Sequence, residues 1–203
     1  MAMTRRSLLA IAAAASAFPA ASAQTQNNLA KFPAYRAWDP PEEGARAPLD
    51  AMLETGDGET SLRDWMDGRP AVIALWATWC TPCLIEKAGE ALMAERLIKA
   101  NARARILLIQ AYDETPLDEA RLLLKRLKAS GIANTRATPK AEKMFVKHFG
   151  ESQRGSGRPF MPTLMIAAAD GAELARTSGV MISEDRHKDY WYDDGTFELL
   201  SSL

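Results

Sequence analysis

The chain carries Trp79-Cys80-Thr81-Pro82-Cys83 between an apolar run and a helix-like run, and it has no other cysteine. Two thiols separated by two residues can close to a disulfide and reopen. Only the thiolate attacks a disulfide, and a helix N-terminus favours that form because its first N–H groups are unpaired and carry partial positive charge. The sequence therefore predicts a redox-active dithiol at the start of a helix.

The flanking residues support this placement. The apolar run 71–76 predicts a buried strand, and residues 84–100 predict a helix with Pro82 in its first turn, where a missing N–H is tolerated. The helical spacing is carried by Leu84, Ala88, Ala91, Leu92, Glu95 and Leu97. We expect Cys80 to be the exposed attacking thiol and Cys83 to resolve the mixed disulfide from within the helix.

Other uses of a cysteine pair fit this sequence less well. A structural zinc site normally needs four ligands, and the two histidines, His148 and His187, are distant in sequence. A structural disulfide across so short a loop would constrain the unfolded chain little. Two soft thiolates, together with Met161, could hold Cu(I), so a Cu(I)-binding chaperone is an alternative function, as is a redox-silent interaction module.

The first 23 residues predict a cleaved export signal. Arg5 and Arg6 precede an alanine-rich apolar stretch, 8–18, that is short for a membrane span, and Ala21-Ser22-Ala23 is a small-residue cleavage site. The segment around the two arginines is also typical of a twin-arginine signal. We therefore expect a periplasmic protein whose mature chain begins at Gln24.

The composition argues against a nucleic-acid partner. The formal net charge is −1 and becomes −3 once the two signal arginines are lost, and no basic patch of the kind that phosphates require is present in the sequence. No metal or organic cofactor is expected. The length that remains after the signal suits one domain, which we expect to be a monomer.

The rest of the chain predicts an α/β domain. Residues 24–46 are polar and proline-bearing and predict an extended lead-in to a domain that covers 47–203. Strands alternating with helices predict a central mixed β-sheet flanked by helices, with an N-terminal hairpin around the glycine turn 55–58. An inserted helix, 141–149, precedes a strand over 163–169. The cysteines then lie at the carboxyl end of a central strand, where sites in open α/β sheets usually form.

Met161-Pro162-Thr163 opens the strand that follows the inserted helix and a polar loop. A trans proline here would merely end the loop. A cis proline packed against the dithiol would instead expose the backbone of Met161 to an extended peptide. Main-chain pairing at that point could hold a substrate with little demand on its sequence.

Together, the stretch 76–83, the preceding hairpin and Met161-Pro162-Thr163 resemble the thioredoxin superfamily. Within it, the chain is most similar to the exported TlpA/ResA-like branch, over roughly residues 47–182. This resemblance implies a thioredoxin-like fold and a thiol–disulfide oxidoreductase in which Cys80 is the nucleophile and Cys83 the resolving thiol. The branch includes reductases of cytochrome c maturation, so we expect a reductase of protein disulfides that receives electrons from a membrane thiol donor.

The resemblance also implies roles for other residues. Substrate would be bound by Trp79, Met161, Pro162 and Thr163, with Pro162 as the cis proline. Glu86 would be a catalytic carboxylate that exchanges protons with the thiols. The alternative is that Glu86 is an exposed helix residue paired with Lys87. The branch often has a proline soon after this glutamate, whereas this chain has Lys87-Ala88-Gly89.

Overall fold

The computed structural model describes residues 24–153, 155–181 and 190–203. Within them, one mixed sheet has the strand order β2-β1-β5-β4-β3-β6-β7. The strands are β1 (Met52–Glu54), β2 (Glu59–Ser61), β3 (Ala71–Trp76), β4 (Arg105–Gln110), β5 (Ala133–Ala137), β6 (Thr163–Ala167) and β7 (Glu173–Ser178). The helices are α1 (24–29), α2 (Leu62–Met66), α3 (Thr81–Lys99), α4 (Leu117–Arg126), α5 (Pro139–Phe149) and α6 (Asp194–Ser201), with 3-10 turns at Pro33–Ala37 and Tyr190–Tyr192.

Strand β3 lies inside the sheet, parallel to β4 and antiparallel to β6. All six of its residues are buried. A strand covered on both faces needs apolar side chains at every position, which is why its sequence is an uninterrupted apolar run. Because α3 begins five residues after β3 ends, the cysteine pair lies at the carboxyl end of an interior strand.

The predicted fold class is confirmed. The N-terminal hairpin pairs β1 with β2 antiparallel, and the inserted helix α5 separates β5 from β6 along the chain. Strand β5 was not predicted. It carries Asn134, Thr135 and Arg136 between two alanines, so no apolar run marks it. It forms because it pairs parallel with β4 and antiparallel with β1, which joins the hairpin to the rest of the sheet.

The prediction that residues 24–46 form an extended segment is wrong. The segment contains α1 and the 3-10 turn Pro33–Ala37. Leu29 and Trp38 are buried, and the indole Nε1 of Trp38 donates a 2.7 Å hydrogen bond to the hydroxyl of Tyr190. The lead-in is therefore part of the packed domain, held by apolar residues spaced too irregularly to predict an element.

The predicted export signal, 1–23, lies outside the described residues, and so does His187. Among the helices that the structure describes, none combines the length and apolar character that a membrane span requires.

Candidate active site

The two cysteines form a disulfide at the first turn of α3. Cys80 is the N-cap residue, and its Sγ accepts a hydrogen bond of 3.2 Å from the backbone N–H of Cys83. Pro82 occupies the first turn, where its missing N–H leaves no hydrogen bond unmade. After reduction, the unpaired N–H groups of this turn would favour a thiolate on Cys80, as the sequence predicts.

Cys80 is less accessible than predicted, whereas Cys83 lies inside as expected. Cys80 is 3% exposed and Cys83 is fully buried, so the prediction of an exposed Cys80 is wrong in degree. Cys80 nevertheless lines a surface cleft of about 400 Å³, and Cys83 is not among its lining residues. A partner can therefore approach Cys80 through the cleft, while Cys83 lies behind it in the core.

The Met161–Pro162 peptide bond is cis, which confirms that part of the prediction. Met161 lines the same cleft as Cys80. Pro162 and Thr163 are buried and are not among the described residues that line it. Thr163 instead opens β6 opposite Leu75 of β3, and its hydroxyl donates to the carbonyl of Phe160. It thus supports the turn that presents Met161.

Trp79 forms one side of the cleft and is 48% exposed. Its indole Nε1 donates a 2.9 Å hydrogen bond to the carbonyl oxygen of Tyr112, which fixes the ring relative to the loop after β4. The preceding residue is also anchored, because the backbone N–H of Thr78 donates to a carboxylate oxygen of Asp113 at 2.5 Å. Burial alone would raise the pKa of Asp113, but hydrogen bonds from Thr78 and Thr115 outweigh it and lower that pKa.

The loop between α5 and β6 also lines the cleft. Sequence reasoning treated this segment only as a polar loop. Its contribution to the cleft comprises Ser152, Gln153, Ser156, Arg158, Pro159 and Phe160. The guanidinium of Arg158 lies 4.3 Å from the ring centroid of Trp79, and Phe160 is 56% exposed. No local signal marks this contact, because the two partners are far apart in the chain.

Glu86 is buried, so the alternative of an exposed helix glutamate is wrong. Its Oε1 accepts hydrogen bonds from the backbone N–H of Met181 at 2.5 Å and from the indole Nε1 of Trp191 at 3.3 Å. Its Oε2 has no hydrogen-bond partner in the described part of the chain. Burial, and secondarily the charge of Glu90, raises the pKa of Glu86 to about 7, against smaller opposing effects of Met181, Lys87 and Trp191.

Lys87 and Glu90 are two further buried charges on α3, and sequence reasoning missed both. Their side chains are fully buried, with Lys87 Nζ 2.5 Å from Glu90 Oε2 and 5.8 Å from the ring centroid of Trp76. Spacing could have revealed them. Positions 83, 86, 87 and 90 recur at the interval of one helix face, so a buried Cys83 places the three charges inward. We call Glu86, Lys87 and Glu90 the α3 charge cluster.

Comparisons with known proteins give a fold and no sequence relative. No protein-family model matches the chain, and no curated protein sequence does. A solved Chlorobium tepidum structure, named as thiol:disulfide interchange protein DsbE, is 22% identical with a TM-score of 0.53, over 80% of this chain and 98% of that one. The thioredoxin domain of a Bacteroides vulgatus thiol-disulfide oxidoreductase is 13% identical with a TM-score of 0.55, over 78% and 95%.

A secreted thiol-disulfide isomerase from Corynebacterium glutamicum gives similar values, with 16% identity and a TM-score of 0.52 over 81% of this chain and 92% of that one. At these identities the likeness concerns the fold. It agrees with the sheet order, the disulfide at the start of α3 and the cis peptide bond before β6. The chain therefore has the thioredoxin-like fold of the thiol:disulfide interchange proteins, with a Cys-x-x-Cys disulfide at its Cys80–Cys83 pair.

Proposed function

We propose that this protein is an exported thiol–disulfide oxidoreductase that reduces disulfides in protein substrates. The observation that carries the proposal is the disulfide at the N-terminus of α3, reached through a cleft that also contains Trp79 and Met161. A structural disulfide needs no such access. A dithiol that exchanges with another protein needs one sulfur at a surface and a second sulfur close behind it.

The proposed reaction uses the two cysteines in order. The Cys80 thiolate attacks one sulfur of a substrate disulfide, that S–S bond breaks, and one substrate thiolate leaves. The Cys83 thiolate then attacks the Cys80 sulfur, which forms the Cys80–Cys83 disulfide and releases the second substrate thiolate. Two electrons pass from the dithiol to the substrate, and the two protons of the dithiol end on the two substrate thiols.

The difference in burial between the two cysteines supports these two roles. Cys80 lines the cleft, whereas Cys83 is fully buried and can reach only a sulfur already joined to Cys80. Met161 at the cleft offers main-chain groups beside the cis bond, so an extended substrate segment can pair with it while its cysteine meets Cys80. Trp79 borders the same segment. Pro162 and Thr163 contribute by holding Met161 in place.

Glu86 is proposed to hold and return the proton of the buried thiol. It follows Cys83 by three residues on one helix, so the two side chains lie on the same face. A carboxyl group whose pKa lies near 7 can give up or accept a proton at neutral pH with little driving force lost. Its Oε2, which has no hydrogen-bond partner among the described residues, is the atom that would take part.

Export and the electron source are part of the same proposal. The pattern of residues 1–23 supports a periplasmic location, and one solved structure of the same fold is described as secreted. A cysteine pair that ends each cycle oxidised needs a reductant, for which we propose a membrane thiol donor. The resemblance to the TlpA/ResA-like branch supports reduction of protein disulfides in cytochrome c maturation. We propose that the protein acts as a monomer.

Trapping tests the proposal. The Cys83→Ala variant keeps the attacking thiol and lacks the resolving one, so we expect a 1:1 mixed disulfide with a disulfide-bonded protein substrate, released by dithiothreitol. The matched control is the double variant Cys80→Ala/Cys83→Ala, which should give no adduct. Absence of adduct with the single variant, together with stoichiometric Cu(I) binding by the reduced wild type, would instead support a copper-binding protein.

The direction of electron flow needs a separate measurement. Rapid alkylation of the protein in intact cells should find Cys80 and Cys83 mostly as free thiols if a donor keeps the pair reduced. A predominantly oxidised pair would reverse the assignment to a disulfide-forming oxidase.

A further inference from the structure

Among the described residues that line the cleft containing Cys80, Arg158 carries the positive charge. Its guanidinium carbon lies over the ring of Trp79, 4.3 Å from the centroid, and both side chains line the cleft. A guanidinium that contacts an aromatic ring through its face keeps its N–H donors at the edge of its plane. Those donors are suited to the two oxygens of a carboxylate.

No carboxylate of the described chain uses these donors. Among the described residues that line the cleft, none is acidic. In the described part of the chain, at least eight other arginines have a carboxylate oxygen within 4.0 Å, namely Arg46, Arg63, Arg69, Arg96, Arg105, Arg121, Arg136 and Arg176. Glu151 lies in the same loop as Arg158, but its Oε2 accepts a 2.6 Å hydrogen bond from the backbone N–H of Gly155.

The loop holds the backbone of Arg158 at this position. The carbonyl oxygen of Arg158 accepts hydrogen bonds of 3.0 Å from the backbone N–H of Ser152 and from the hydroxyl of Ser156. The backbone N–H of Arg158 donates to the same hydroxyl at 3.4 Å. The loop therefore holds the backbone of Arg158, and the Trp79 ring holds its guanidinium. Little further conformational freedom of this side chain is lost when a ligand binds the guanidinium.

We propose that Arg158 selects protein disulfides in which an acidic side chain lies within two residues of the cysteine that Cys80 attacks. The inference rests on the proposed function and names its substrate class. The cleft of about 400 Å³ contains both Cys80 and Arg158, so a substrate whose sulfur reaches Cys80 brings its neighbouring side chains to the guanidinium. The acidic side chain would take the place that carboxylates occupy at the eight paired arginines.

The size of the preference follows from exposure. Arg158 is half-buried, so the pair it forms with a substrate is only partly shielded from water. We expect about a fivefold preference for an acidic substrate, the upper end of what exposed ion pairs contribute. The preference should weaken as ionic strength rises, because screening acts on a pair that solvent reaches.

Two matched peptide disulfides test this proposal. Each peptide has a single cysteine, which forms the disulfide, and the residue before that cysteine is glutamate in the first peptide and glutamine in the second. The ratio of the rate constants for their reduction by the reduced wild-type protein should be about five times the ratio measured with Arg158→Gln. Arg158→Glu should reverse the preference. Because the ratio is compared between proteins, the intrinsic difference between the two peptides cancels.

Arg103→Gln is the control, since it makes the same change of charge at another arginine. Arg103 is exposed before β4, at the amino end of a strand parallel to β3 and therefore away from the cleft. It should keep both the activity and the ratio of the wild type. Equal ratios in wild type and Arg158→Gln would overturn the proposal.

A binding measurement separates this proposal from the proposed function. Peptides with serine in place of cysteine cannot exchange, and NMR titration of the oxidised protein reports their binding alone. Preferential binding of the glutamate peptide by the wild type, and its loss in Arg158→Gln, would support the acidic preference. If neither cysteine peptide were reduced, that result would contradict only the oxidoreductase assignment. Equal binding of both serine peptides, with no Arg158-dependent ratio in turnover, rejects the acidic preference.

Discussion

Two glutamates of this protein are equally buried and have opposite electrostatic surroundings. Glu86 on α3 and Glu173 on β7 are each 1% exposed. Glu86 receives its hydrogen bonds on one oxygen, from Met181 and Trp191, and its nearest cation, Lys87, is paired with Glu90. Burial therefore prevails, and the pKa of Glu86 is raised to about 7.

Glu173 has partners on both oxygens. Arg176 reaches Oε1 at 2.5 Å and Oε2 at 2.9 Å, and His148 Nε2 lies 2.7 Å from Oε2. Burial alone would raise the pKa of Glu173, but the hydrogen bonds from His148 and Arg176 outweigh it and lower that pKa. The comparison shows that partners, and not burial, decide which buried carboxylate stays ionised. The glutamate with too few partners is the one that shares a helix with the disulfide.

The largest predicted effect comes from removing the cation of the α3 charge cluster. Lys87→Met leaves Glu90 as a buried charge without its partner, so we expect a loss of about 3–5 kcal/mol in the free energy of unfolding. The double variant Lys87→Met/Glu90→Leu should recover most of this loss, because it removes both charges. Urea unfolding of the oxidised proteins at pH 7 measures all three.

An exposed ion pair on the same helix provides the control. Lys99 Nζ lies 2.6 Å from Glu95 Oε1, with both side chains more than half exposed. Lys99→Met should change the free energy of unfolding by less than about 0.5 kcal/mol. A loss in Lys87→Met no larger than that would contradict the importance assigned to the buried pair.

The second prediction concerns Glu86 and pH. Its pKa is about 7 in the folded protein against 4.5 for an unperturbed glutamate, so protonation stabilises the fold. That contribution is fully present below pH 4.5 and is lost as the pH rises through 7, a change of about 3 kcal/mol. Glu86→Gln cannot titrate and should lack this change. Unfolding of both oxidised proteins between pH 4.5 and 8 measures the difference.

Glu95→Gln removes an exposed carboxylate from the same helix and should follow the wild type across this range. A constant difference between wild type and Glu86→Gln would show that Glu86 is ionised throughout, like Glu173.

The comparison also shows what the sequence could and could not predict. The strand 71–76 and the dithiol at a helix start are local patterns, and each is found where it was expected. The cis form of Pro162 was expected from the resemblance and is also found. Glu86 was expected as a candidate from a resemblance. Its pKa is raised by burial, which depends on the packing of the whole fold, and its hydrogen-bond donors Met181 and Trp191 lie about a hundred residues away, where no local pattern indicates them.

The other misses have two causes, non-local partners and a wrong choice of buried face on α3. Strand β5 has no apolar run and forms because β1 and β4 flank it. The burial of Lys87 and Glu90 was missed because the spacing used to predict α3 followed Leu84, Ala88 and Leu92, whereas the buried face follows Cys83. Leu92 is in fact 39% exposed. Arg158 meets Trp79 only through the fold.

The third prediction concerns the loss of the charge on Glu173, the glutamate with partners on both oxygens. Glu173→Gln leaves the Arg176 guanidinium without its anionic partner, so we expect a loss of about 2 kcal/mol in the free energy of unfolding at pH 7. The pH dependence has the opposite sign to that of Glu86. Because the folded pKa of Glu173 is lowered, its contribution is present above pH 4.5 and is lost as the pH falls through the folded value.

Urea unfolding of wild type and Glu173→Gln at pH 7 and at pH 3 should therefore give a difference that shrinks in acid. A difference that grew on acidification would mean that Glu173 is held in its protonated form, and the contrast between the two glutamates would fail.

The smallest effect is expected at His148, the third partner of Glu173. His148→Asn removes one contact from Oε2, while Arg176 still reaches both oxygens, so the carboxylate remains paired. The imidazole also packs against the ring of Phe149, with centroids 4.7 Å apart, and that contact is lost as well. We expect a loss of about 1 kcal/mol in the free energy of unfolding.

A double-mutant cycle with Glu173→Gln measures the coupling between His148 and the carboxylate. If Arg176 alone suffices to keep Glu173 ionised, this coupling should be smaller than the coupling between Arg176 and Glu173, which a second cycle with Arg176→Gln measures. If His148→Asn alone lowered the free energy of unfolding as much as Glu173→Gln does, the two contacts from Arg176 would not be enough to offset the burial of the Glu173 carboxylate. The state of a buried carboxylate would then depend on the number of separate partners, and Glu86, with two donors on one oxygen, would need only one more to behave like Glu173.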